Sequence, residues 1–250
     1  MTAEHPLLFH HVHAGYGRRV VLHGTTLAVP AGSTTVLLGS NGEGKTTLLR
    51  VALGLVDARQ GQVRVLGRDP ARRSRAVRER VGFVPATPDD YGWMKVPDLF
   101  RFLAAHYPTW SKARAQGLVD ALEVPTDVPF KHLSRGQGMK AMLAAALAPD
   151  PEVLLLDEPF AGLDPLVREE VLRQVITAVG DRPRTVLCVT HDLDVAARLA
   201  DRVALMAGGR ITKEGPATEF TAPREEAPTP ASLRDALAQA VGTPAVGVEV

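Results

Sequence analysis

The chain has 250 residues, with 29 Lys and Arg against 28 Asp and Glu and a formal net charge of +1. Apolar residues make up 45% and charged residues 23%, the balance of a globular domain, which excludes disordered, collagen-like and disulfide-scaffold chains. Near-neutral charge gives no support for a nucleic-acid protein held by bulk electrostatics, so no nucleic-acid partner is expected. The single cysteine, Cys188, lies in the β-rich run Thr185–Thr190 and reads as a small buried apolar residue. The N-terminal residues lack the pattern of a secretory signal, and no window approaches the apolar length of a membrane span.

In chain order, apolar runs alternate with helical patterns, the βαβ rhythm of a mostly parallel sheet. Thr34–Leu38 reads as a short buried strand, followed by a helix over Lys45–Leu55. Val153–Leu156 and Thr185–Val189 read as two more buried strands. Between them Val167, Val171, Leu172, Val175 and Val179 recur at helical spacing. Val203–Met206 and Arg210–Lys213, joined across Gly208-Gly209, predict a hairpin. From about Pro88 to Pro149 strand signals give way to amphipathic helical patterns, which predicts a helical lobe inserted into the α/β core. Phe83, Tyr91, Trp93, Phe100, Phe102, Tyr107 and Trp110 gather at its start, favouring local packing over a groove for a partner helix. After Gly215 a proline-punctuated tail begins, with one short capped helix expected near Ser232–Val241.

The strongest local signal is Gly39-Ser40-Asn41-Gly42-Glu43-Gly44-Lys45-Thr46, followed by Thr47. It matches G-x-x-x-x-G-K-[ST] between a predicted strand and a predicted helix, the context of a phosphate-binding loop. Its glycines let backbone N–H groups curl around phosphate oxygens at a helix N-terminus. Lys45 would reach the β- and γ-phosphates, and the Thr46 hydroxyl would hold Mg²⁺. The strand at 153–156 delivers Asp157 and Glu158 at its C-terminal edge, where ligands collect in open α/β sheets. Asp157 suits support of Mg²⁺, and Glu158 suits orienting or deprotonating an attacking water.

Together with Leu133-Ser-Arg-Gly-Gln137, Ala161-Gly-Leu-Asp164 and Thr190-His191-Asp192, these motifs resemble the nucleotide-binding subunit of ATP-binding cassette (ABC) transporters, in that family's order, over residues ~7 to ~215. The resemblance implies an α/β fold with a P-loop NTPase (RecA-like) core, a mostly parallel sheet, an inserted helical subdomain and N-terminal antiparallel β elements. The core would comprise 1–87 and 150–215, the helical subdomain 88–149 and the tail 216–250. It implies that ATP and Mg²⁺ bind the P-loop and that Tyr16 stacks on adenine. Ser134, Gly136 and Gln137 would close over the γ-phosphate bound to the opposite subunit, and Asp164 would couple the two sites. Lys45, Glu158 and His191 would be the catalytic groups. Two subunits, identical or different, would sandwich two ATP molecules head to tail on the cytoplasmic face of the membrane. They would drive a separately encoded permease.

The chain departs from the family's pattern twice. Ala86 stands where a glutamine usually follows the strand before the helical lobe, and Glu43 stands where a small residue is usual. The stretch Trp93–Phe100 with Tyr107–Trp110 is similar to bacterial ABC subunits associated with export-type permeases. A soluble ABC ATPase acting on ribosomes or in DNA repair is the rival, but one P-loop and no sustained heptads oppose it. A nucleotide-gated regulatory module has only Ala86 and Glu43 in its favour. His5, His10, His11 and His13 fall in the first expected strand with alternate residues facing opposite ways, without a cysteine or paired carboxylate to make a metal site. Arg68, Arg72, Arg73, Arg75, Arg78 and Arg80 crowd one stretch that reads as a solvated helical face, with anionic lipid or an acidic loop as the alternative contact.

Overall fold

The computed structural model describes residues 5–87, 92–180 and 182–220, together with Arg234 and Ala238. Strands β1 (Leu7–Tyr16), β2 (Arg19–Val29) and β4 (Ala58–Val65) form an antiparallel sheet in the order β2-β1-β4. Strands β3 (Thr34–Leu38), β5 (Val81–Val84), β6 (Val153–Asp157), β7 (Thr185–Thr190), β8 (Arg202–Ala207) and β9 (Arg210–Pro216) form a second sheet in the order β5-β6-β7-β3-β8-β9. It is parallel from β5 to β8, and β9 pairs antiparallel to β8 at the edge.

The central strands are apolar throughout because both faces of the sheet are covered. Val36, Leu38, Leu154, Leu156, Val186 and Cys188 face one buried cluster; Leu37, Val153, Leu155, Leu187 and Val189 face the other. That split is the two-residue period of a strand. The first cluster is completed by helices α5 (Arg135–Leu147), α6 (Pro165–Gly180) and α7 (Leu193–Leu199). The second is completed by α1 (Lys45–Ala52) and the inner face of the antiparallel sheet, with Leu7, Phe9, Leu22 and Leu48 all fully buried. Helices α2 (Ser74–Arg78), α3 (Val96–Ala104) and α4 (Lys112–Ala121) fill out the middle of the chain.

Four local expectations are corrected. Helix α1 stops at Ala52 rather than Leu55, because Gly54 turns left-handed at φ 66° and lies where a Cβ would come within 2.3 Å of the Pro70 carbonyl. In β1 the strict alternation fails at a bulge: His11 has φ 48°, and His10 and His11 are both exposed. Gly61 on β4 faces that bulge, where a Cβ would stand 2.3 Å from the His11 carbonyl. Helix α5 is not amphipathic, since every residue from Met139 to Leu147 is buried. It is wedged against β5, α3, α4 and α6, and its small residues allow that close approach; a Cβ on Gly82 of β5 would come within 2.6 Å of the Ala146 carbonyl. Of the arginine stretch only Arg75 and Arg78 lie on a helix, Ser74–Arg78, although Arg68, Arg72, Arg73, Arg75 and Arg78 are all exposed as a solvated face should be. Arg72 lies near Asp69, Arg75 pairs with Glu79, Arg80 pairs with Glu152, and Arg78 donates to the Leu53 carbonyl.

The aromatic group is divided. Phe100 and Trp110 pack edge to face at 5.4 Å, whereas Trp93 and Phe102 are exposed. Tyr91 and the helix expected near Ser232–Val241 lie outside the described residues, apart from Arg234 and Ala238, both helical; the Arg234 guanidinium lies 3.5 Å from Asp194.

Candidate functional site

The C-terminal ends of β3, β6 and β7 lie together because β7 is hydrogen-bonded to both of the others. The loop after β3 is Gly39–Gly44, and its backbone demands glycine at two points. Gly42 and Gly44 sit at φ 88° and 105°, and a Cβ on Gly44 would press within 2.9 Å of Leu22. The loop opens α1 at Lys45. The Lys45 ammonium donates to the Gly39 carbonyl at 2.6 Å and the Ser40 carbonyl at 3.1 Å, and lies 3.3 Å from Glu158 Oε1. Thr46 Oγ1 donates to Asp157 Oδ1 at 2.9 Å, tying the start of α1 to the end of β6.

Asp157 is buried, and burial pushes its carboxyl above the ordinary carboxylate range, with the neighbouring Glu158 adding to the rise. The Thr46 hydrogen bond and the Arg50 and Lys45 cations pull the other way. Glu158 occupies the left-handed region at φ 45°, which is strained for a residue with a Cβ. Its N–H donates to the Val189 carbonyl at 2.9 Å, holding the turn against β7. Glu158 Oε2 stands 3.0 Å from His191 Nδ1, just past β7, while Oε1 is buried and accepts no hydrogen bond among the described residues. That oxygen is an open acceptor 3.3 Å from the Lys45 ammonium.

A pocket of about 260 Å³ gathers Tyr16, Asn41, Gly42, Gly44, Lys45, Thr46, Thr47 and Glu158, with Arg19 and Val21. Tyr16 comes from β1, in the other sheet, and its hydroxyl accepts from Arg50 at 3.0 Å. Gly39, Ser40 and Glu43 do not line the pocket. The Glu43 carboxylate instead accepts from the backbone N–H of Gly208. Gly39 lies against β8, where a Cβ would meet the Met206 carbonyl at 2.5 Å.

Ser134, Gly136, Gln137 and Asp164 lie outside this pocket. Ser134 caps α5 through a reciprocal pair: Ser134 Oγ accepts from Gln137 N–H at 3.2 Å, and Gln137 Oε1 accepts from Ser134 N–H at 2.9 Å. The exposed serine leaves that helix start facing outward. Gly136 is buried against α6, and a Cβ there would come 2.5 Å from Val167. Asp164 caps α6 by accepting from the N–H groups of Leu166 and Val167, both at 3.1 Å. Arg135 lies over Gly162, so the segments holding Ser134 and Asp164 touch within one chain.

Sequence reasoning missed two supporting residues. Arg168 on α6 bonds Asp192 Oδ2 at 2.6 Å, and Asp192 itself caps α7 beside His191. Arg50 holds Tyr16. Neither carries a local motif; both pairs form only when separate elements meet.

A glycine-cradled loop between a parallel strand and a helix, with an acidic pair on a neighbouring strand end, defines a P-loop nucleotide-hydrolysing domain. More narrowly, the chain belongs to the ABC transporter family, whose model matches residues 22–161, and it is an ATP-binding ATPase subunit of that family. It is 34% identical over 252 residues to "Nod factor export ATP-binding protein I" of Paraburkholderia xenovorans, covering 95% of this chain and 82% of the relative. It is 37% identical over 222 residues to "Nickel import ATP-binding protein NikO" of Rhodobacter capsulatus, covering 80% and 85%. Among solved structures, "Structure of ATP binding subunit of ABC transporter" superposes with a TM-score of 0.76 at 27% identity, covering 86% of this chain and 91% of that one.

Proposed function

We propose that this subunit powers an export permease from the cytoplasmic face of the membrane, using Lys45, Glu158 and His191 as its catalytic groups. Among the described residues no helix is long and apolar enough to cross a membrane, which agrees with a separately encoded permease. The observation that carries the catalytic assignment is Glu158, held on one oxygen by His191 and facing Lys45 with the other.

The donor set suits Mg²⁺. Thr46 Oγ1 and Asp157 Oδ1 are hard oxygen ligands 2.9 Å apart, and Mg²⁺ is typically held by one or two protein groups plus phosphate oxygens and water. When bound, the ion neutralises charge on the β- and γ-phosphates. The Asn41–Thr47 amides and Lys45 bind and orient those phosphates, and Tyr16 offers its ring to the base. Glu158 orients water and takes its proton; His191 fixes the carboxylate and lies at hand for the γ-phosphate. Ser134, Gly136 and Gln137 on the outward-facing start of α5 act on nucleotide held by the opposing subunit, with Asp164 relaying between the sites.

In this reading residues 1–87 and 150–215 form the nucleotide-handling core, and 88–149 the helical part that presents Ser134. A groove of about 270 Å³ between them, lined by Leu55, Phe83, Leu99, Leu103 and Met142, suits an apolar segment of the permease. Export rests on the relative aligned over 95% of the chain, against import for the one aligned over 80%. Purification of the tagged chain from gently solubilised native membranes tests the assignment. A stoichiometric multi-span protein is expected; recovery with ribosomal or DNA-bound partners alone would contradict it.

A further inference from the structure

We infer that Glu43 is a positioning residue, latching the phosphate loop to the β8–β9 turn and through that turn to β2. Its carboxylate accepts from the Gly208 N–H, across 165 residues of chain. The turn it grips is itself clamped from β2: the Gly209 carbonyl accepts from the buried Thr25 hydroxyl at 2.7 Å and from His23 N–H at 3.0 Å. Gly208 and Gly209 have φ 54° and 70°, the pair of left-handed residues of a tight hairpin turn. A Cβ on Gly209 would come within 2.0 Å of the Val21 carbonyl, so the turn is pressed directly onto β2. Val21 also walls the pocket and lies beside Gly44 of the loop. Loop, turn and strand thus form one closed triangle, of which Glu43 is the side that reaches the loop.

This arrangement accounts for a carboxylate in a phosphate-binding loop. Its charge is spent on a backbone donor and it does not line the pocket, so it holds the loop without contesting the phosphates. The hydrogen bond needs an acceptor oxygen, not a negative charge, and an amide oxygen would serve. The inference rests on the loop being the nucleotide site, and Lys45→Ala tests that separately by abolishing binding.

Equilibrium binding of Mg-ADP, with kcat and KM for ATP, should be measured for the full chain and for Glu43→Gln, Glu43→Ala and Thr25→Val. Removing the bond should weaken nucleotide binding about threefold to tenfold, on the scale of a single hydrogen bond. Glu43→Ala is expected to raise KM with kcat little changed, and Glu43→Gln to restore binding to within about twofold. Thr25→Val should weaken binding in the same direction although Thr25 does not line the pocket; thermal melting shows whether the variant is folded. Tighter binding by both Glu43 variants would mean that charge repulsion dominates, and unchanged binding in all three would mean that the latch carries no function. Either result overturns the inference. Wild-type binding by Lys45→Ala would instead refute the phosphate-loop reading.

Discussion

At the scale of single residues, the site concentrates groups that are costly to keep. Asp157 is a buried carboxylate whose protonation is made easier by burial. Because its folded-state value lies above the unfolded one, its contribution to stability is full at acid pH and falls as pH rises through that window. Asp157→Asn should therefore flatten this part of the pH–stability curve and raise the melting temperature by a few degrees at neutral pH, about 1 kcal/mol, while weakening Mg²⁺-dependent ATP binding. Calorimetry from pH 4 to 8 and metal-dependent nucleotide binding read the two effects; a lower melting temperature at neutral pH would contradict the first. Cys188 lies beneath the same acidic pair, and burial pushes its thiol far above the ordinary cysteine range. A maleimide should modify it only in denaturant. Modification at a comparable rate in the folded protein would show that this strand opens.

At the scale of elements, the exposed start of α5 makes a sharp test. Ser134→Ala removes one half of a capping box and should cost about 1 kcal/mol of stability. Its loss of ATPase activity should greatly exceed that small destabilisation if the serine also acts on a partner's nucleotide; a parallel Ser111→Ala cap variant on α4 would lose only stability. Urea melts beside steady-state rates separate the effects. Strands β3, β6 and β7 and helix α6 were legible from sequence because two-sided burial yields unbroken apolar runs and one-sided burial a helical period. The end of α1 was not, since Gly54 acts through its contact with Pro70, a neighbour distant from the helix's own sequence signals. The polar face of β4 and the bulge at His11 hid the antiparallel sheet's register. Burial of all sides of α5 comes from three other helices and β5, which no window of sequence contains.

At the scale of the molecule, the order β5-β6-β7-β3-β8-β9 brings three strand ends, far apart in sequence, side by side, so that Lys45 and His191 both reach Glu158. The loop, Asp157, Glu158 and His191 were legible as motifs because each is short and local. Their supports were not: Arg168, Arg50 and the Glu43 latch join segments that only the fold brings together. Ser134 and Asp164 cap helices outside the pocket, an arrangement that suits catalysis between two facing subunits. The most direct measurement is steady-state ATP hydrolysis by purified protein and by Glu158→Gln, with molar mass followed by light scattering in Mg-ATP. The account predicts a loss of at least about 100-fold in the variant, with ATP still bound and the variant trapped as a dimer. Hydrolysis by Glu158→Gln at the wild-type rate would contradict it.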